Sequence, residues 1–129
     1  MLKAVIVDAN AISRGLLNTV LTDGGYNVVG QAHTPAQGYA LLQKHEPHFF
    51  CIALEQVEDG SNIVEQIRAS YPKTLVFMMS GALDAPTIQK AMQRGVQGFI
   101  VKPFNADAVL KTIRMAVLAM VRKQQVQQQ

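Results

Sequence analysis

Apolar runs and helix-period stripes alternate five times along the chain. Residues 2–7 are apolar except for Lys3 and predict a buried strand. Residues 11–22 then place Ile12, Leu16, Leu17, Val20 and Leu21 on one helical stripe, which Gly24 and Gly25 end. Residues 27–32 predict a second strand. Thr34 as cap and Pro35 at the first position open a second helix that runs through Tyr39, Leu41 and Leu42 and stops before Pro47. Residues 49–54 predict a short, wholly apolar third strand, and residues 55–60 a polar loop. Residues 61–70 predict a third helix with Ile63, Val64 and Ile67 inward. A fourth strand at 75–79 is followed by a helix at 84–94, capped by Asp84, with Ile88, Ala91 and Met92 inward and Gly95 at its end. A short fifth strand at 99–101 meets Pro103. Asn105 then caps a last helix reaching about Lys123, with Val109, Ile113, Ala116 and Met120 inward. The domain is read as 1–123, and the glutamine-rich 124–129 as a flexible tail.

Five strand–helix units with continuously apolar strands predict an α/β fold, a parallel sheet covered on both faces. Right-handed crossovers favour a doubly wound arrangement. In such sheets ligands bind at the carboxyl ends of the strands, near the switch in strand order. The residues to inspect are therefore Asp8, Ala9 and Asn10; Ala53, Leu54 and Glu55; Ser80, Gly81 and Ala82; and Lys102 with Pro103.

Composition narrows the class. The 129 residues fit one domain, and 49% hydrophobic content suffices for an ordinary core. No run is long enough to cross a bilayer, and no leader pattern precedes the first strand, so the expected location is cytoplasmic. The single cysteine, Cys51, lies in an apolar run and forms no internal disulfide. His33, His45 and His48 are not spaced as metal ligands, and no metal site is expected. The net charge of +3 is uneven: residues 82–129 carry seven basic and two acidic side chains. A solvated basic helix face accounts for this, as would an acidic partner surface or nucleic acid.

Asp8, Ser80 and Lys102 fall at strand ends and together suit a pocket that handles a phosphoryl group. A carboxylate holds a divalent cation, a hydroxyl donates to phosphate oxygen, and an ammonium neutralises its charge. Here a resemblance becomes legible. Residues 98–104, Gly-Phe-Ile-Val-Lys-Pro-Phe, together with Met79-Ser80-Gly81 and the glycine-rich entry at 24–30, resemble response-regulator receiver domains of two-component signalling. The similarity runs from Leu2 to about Val121. It implies a flavodoxin-like fold with strand order 2-1-3-4-5 and five helices, a cis Lys102–Pro103 bond, and Phe99 as the switch aromatic, expected mostly buried. It also implies a non-enzymatic module with protein partners: a sensor kinase, an output protein or an adaptor.

The departures from the family matter as much. The resemblance implies two adjacent acids at the end of the first strand, but here Ala9 follows Asp8. The phospho-accepting aspartate falls on Ala53, or on Ile52 if Asp59-Gly60 sets the register. Neither is a carboxylate, and acyl-phosphate formation needs a carboxylate oxygen as nucleophile. A vestigial phosphoryl pocket is expected, made of Asp8, Ala9, Ala53, Glu55, Ser80, Gly81, Lys102 and Pro103. No cofactor is expected, and Mg²⁺ binding should be weak or absent. Glu55 stays open: strand alternation puts it on the side of Ala53, where it would pair with Lys102, act as an unusual acceptor, or simply face solvent.

The last helix has more apolar positions than one face can bury. Leu110, Arg114, Val117, Leu118 and Val121 are the candidate interaction surface. The resemblance implies a homodimer through the fourth helix, fifth strand and fifth helix as one use of it. Nucleic-acid binding through the basic half is the weakest alternative, because no recognition helix or aromatic–basic array is visible.

Overall fold

The computed structural model describes residues 1–128, with side-chain surroundings as far as Gln124. The strands are β1 (Lys3–Val7), β2 (Asn27–Ala32), β3 (Phe49–Ala53), β4 (Leu75–Ser80) and β5 (Gly98–Val101). The helices are α1 (Ala11–Asp23), α2 (Pro35–His45), α3 (Leu54–Val57), α4 (Ile63–Ser70), α5 (Ala85–Arg94) and α6 (Ala106–Gln128). The strands form one parallel sheet in the order β2-β1-β3-β4-β5, the flavodoxin-like arrangement that the sequence predicts.

Because β1, β3 and β4 are covered on both faces, their side chains divide by alternation. Val5, Val7, Phe50, Ile52, Val76 and Met78 point to the layer of α2, α4 and α5. Ala4, Ile6, Phe49, Cys51, Ala53, Phe77 and Met79 point to the layer of α1 and α6. The caps are as local chemistry dictates: Asn10, Thr34 and Asp84 accept backbone N–H groups at the starts of α1, α2 and α5.

Several expectations need correction. Among the described residues there are six helices rather than five, because residues 54–57 wind into one helical turn instead of opening a loop. The helix expected at 61–70 starts at Ile63, after Asn62 in the left-handed conformation. The last helix continues to Gln128, five positions past Lys123, so most of the expected tail is helical; Gln129 lies outside the described residues. The stripe on α1 is narrower than predicted: Leu17 and Leu21 are buried, but Ile12 and Leu16 are exposed. Met92 is exposed too, not inward, since α5 turns only Ala91 fully into the core.

Two packing features yield measurable consequences. Gly38 lets α2 approach the sheet: a Cβ there would lie 2.3 Å from Val7 Cγ2 and 3.1 Å from Phe50 Cζ. Gly15, inside α1, has open space where its Cβ would go. Overpacking costs about 1–3 kcal/mol, while alanine in a helix regains about 1 kcal/mol over glycine. Urea unfolding should therefore show Gly38→Ala destabilised by about 1–2 kcal/mol, and Gly15→Ala stabilised by up to about 1 kcal/mol. Cys51 is fully buried, and burial pushes its thiol far above the ordinary range. In native buffer it should resist a thiol reagent such as dithionitrobenzoate and should react stoichiometrically once denaturant unfolds the chain.

Candidate functional site

The parallel register brings the strand ends into one row. Val7 lies level with Ile52, and Ala53 with Met79, so Asp8 and Ala53 are neighbours where β1 and β3 end. Ser80, the last residue of β4, is level with Val101, and Lys102 follows β5 directly. The Lys102–Pro103 bond is cis.

Asp8 is the centre of this row. One carboxylate oxygen, Oδ2, accepts from Lys102 Nζ at 2.7 Å, and the other, Oδ1, accepts from the Asn10 backbone N–H at 2.9 Å. The Asp8 side chain is 4% exposed and that of Lys102 23%. Arg14 Nη1 donates to the Asp8 carbonyl at 2.7 Å, which ties the first turn of α1 to the end of β1. Ser80 is buried; its Oγ accepts from the Ala82 N–H at 3.0 Å, and its carbonyl accepts from the Lys102 N–H at 2.9 Å.

Ala9 and Gly81 are exposed at the rim, as is Pro103. Ala53 is buried, and its methyl belongs to the apolar layer under α1 and α6. The arrangement therefore offers a single carboxylate, already engaged by an ammonium. A small divalent cation that favours several oxygen ligands in strict geometry would have to displace Lys102 and would find methyl groups at positions 9 and 53. A nucleophile for phosphoryl transfer is likewise lacking at position 53.

Glu55 does not join this row. It is exposed and makes no ion pair or hydrogen bond among the described residues. Of the three readings left open for Glu55, the solvent-facing one matches its exposure, because the strand does not continue and the chain turns into α3 immediately after Ala53. That same turn buries Gln56, which the sequence places in a loop. Its Nε2 donates to the His33 carbonyl at 2.7 Å and fastens the end of β2 to the end of β3. Arg14 is a further site residue that sequence reasoning misses; its place one turn after the cap residue Asn10 is the available signal. Phe99 is only partly buried, packed against the α2–α4–α5 layer, because β5 is an edge strand with one side uncovered.

The expected interaction surface separates into two groups. Arg114, Leu118 and Val121 are exposed. Leu110 and Val117 are partly buried: Leu110 covers Gly24, where a Cβ would come within 2.4 Å of it, and Val117 packs on the core. Among the described residues no helix is long and apolar enough to cross a membrane, and no cluster of three or more metal-ligating side chains occurs.

Comparison with known proteins agrees with this architecture. Residues 4–114 match the response regulator receiver domain family. The chain is 30% identical to the chemotaxis protein CheY of Bacillus subtilis over 112 residues, covering 86% of this chain and 93% of that one. It is 30% identical to CheY of Listeria monocytogenes over 117 residues, covering 90% and 98%. Among solved structures, NtrX from Brucella abortus superposes with a TM-score of 0.88 at 25% identity, over 98% of this chain and 29% of that longer one. A CheY-like receiver domain protein from Methanospirillum hungatei shares the fold at a TM-score of 0.83 and 18% identity, over 95% and 98%. The chain belongs to the response regulator receiver domain family.

Proposed function

We propose that this receiver domain is a non-enzymatic, cytoplasmic module of two-component signalling that acts through protein contacts without being phosphorylated. The observation that carries the reading is the strand-end row itself: a methyl group at Ala53 and a closed Asp8–Lys102 pair at 2.7 Å. The pocket has kept the groups that would hold a phosphoryl group in place and has lost the group that would bond to it. Partners of the kind expected are a sensor kinase, an output protein or an adaptor. A second copy is a further candidate, favoured by exposed Met92 on α5 and exposed Val101 on the free edge of β5.

The alternative acceptor, Glu55, loses support from its exposed place on α3, where its side chain makes no hydrogen bond or ion pair among the described residues. The test is titration of the ¹⁵N-labelled protein with beryllofluoride and Mg²⁺, which together mimic an acyl phosphate. The amides of Asp8, Ala53, Ser80 and Lys102 should not move saturably. A saturable shift at these four would defeat the proposal, and one centred on Glu55 would establish the alternative.

A further inference from the structure

The outward face of α6 combines exposed apolar side chains with uncompensated positive charge. Met115 is 60% exposed, Leu118 46% and Val121 43%. Lys111, Arg114 and Arg122 are exposed beside them. Lys111, Met115, Leu118 and Arg122 follow one another at spacings of four, three and four, so they form one line along the helix; Arg114, Leu118 and Val121 form a second line beside it. After Asp107 the sequence holds no acidic residue, and among the described residues none of these three cations makes an ion pair. The opposite face of α6 is committed to the core through Val109 and Ile113.

We infer that this face docks an acidic amphipathic helix of a protein partner, whose apolar ridge covers Met115, Leu118 and Val121 and whose flanking carboxylates meet Lys111, Arg114 and Arg122. The inference rests on the phosphate-independent reading above and gives it a partner of defined chemistry. Charge decides between occupants. A second copy docked on the same face by two-fold symmetry would set cations against cations with no carboxylate to relieve them. A lipid surface needs a wide apolar sector, and the core has already taken most of the apolar sector of α6. Duplex DNA would meet the cations but would leave three exposed apolar side chains without a counterpart. An acidic helix satisfies both features, and three apolar residues within two turns match the ridge of a crossing helix.

The test titrates the ¹⁵N-labelled chain with a synthetic helical peptide bearing a leucine ridge flanked by glutamates. Its glutamine-for-glutamate counterpart, phosphatidylserine vesicles and a short DNA duplex serve as separate arms. The glutamate peptide should give saturable amide shifts centred on residues 111–122. Binding should weaken by about tenfold or more with the glutamine peptide, with Arg114→Glu/Arg122→Glu and with Leu118→Ser. All three substituted positions are exposed, and unchanged thermal midpoints would show that the variants remain folded. Absence of saturable shifts, shifts centred elsewhere, equal affinity for the glutamine peptide, or response to vesicles or DNA alone would each overturn the inference. Phosphorylation of the unmodified chain would defeat the underlying reading without affecting these shifts. A silent peptide arm would defeat only the docking inference.

Discussion

Introducing two carboxylates, Ala9→Asp with Ala53→Asp, should give a chain that gains a single phosphoryl group from acetyl phosphate in the presence of Mg²⁺, where the parent is expected to gain none. Asp8, Ser80 and Lys102 already stand at neighbouring strand ends, and Ala53 is the residue of β3 beside Asp8. An aspartate at position 53 supplies the missing nucleophile, and one at position 9 supplies a further oxygen ligand for the ion. The carboxylate introduced by Ala53→Asp would also compete with Asp8 for Lys102 and free Asp8 to bind the ion. Mg²⁺ should accordingly raise the thermal midpoint of the double variant and leave that of the parent unchanged. Ala53→Asp alone should be less stable than the parent without Mg²⁺, because it buries a carboxylate close to Asp8. Intact-mass spectrometry and thermal melts with and without Mg²⁺ provide the readings. A double variant that stays unmodified would show that more than side-chain loss has closed the pocket, with the α3 turn as the first suspect.

Removing Asp8 should be among the most damaging single substitutions outside the apolar core. In Asp8→Ala the Lys102 ammonium loses its partner and the Asn10 N–H loses its acceptor. Breaking a buried ion pair from one side costs about 3–5 kcal/mol. Lys102 keeps 23% exposure and can turn toward water, which lowers the expectation to about 2–3 kcal/mol. Lys102→Met should cost a similar amount, since it leaves a carboxylate that is 4% exposed with only the Asn10 N–H. The double variant should cost clearly less than the sum, because it strands no charge. Urea denaturation of the four proteins gives the coupling energy directly. Strict additivity would mean that the pair contributes nothing to stability.

Much of the fold is legible in the sequence because the physics that sets it is local. The apolar runs of β3 and β4 can be stable only in a sheet covered on both faces. Thr34-Pro35, Asp84 and Gly95 mark helix ends through their own backbone and side-chain chemistry. The site is legible in part for the same reason: a polar residue directly after an apolar strand falls at the strand's end, as Asp8 and Lys102 do. What escapes depends on three-dimensional packing. Nothing in Leu-Glu-Gln-Val by itself announces a helical turn, yet α3 decides that Glu55 faces outward and Gln56 inward. Ile12, Leu16 and Met92 have the spacing of core residues, but the sheet has room for only part of each apolar stripe. Leu110 reads as part of a partner surface because no sequence pattern reveals that it lies over Gly24.

The most direct test of the central claim is incubation of the unmodified chain with acetyl phosphate and Mg²⁺, followed by intact-mass spectrometry under conditions that preserve acyl phosphates. No mass gain is expected at any time point, since Ala53 offers no nucleophile and Asp8 is held by Lys102. A stoichiometric single-phosphoryl gain that depends on Mg²⁺ would contradict it.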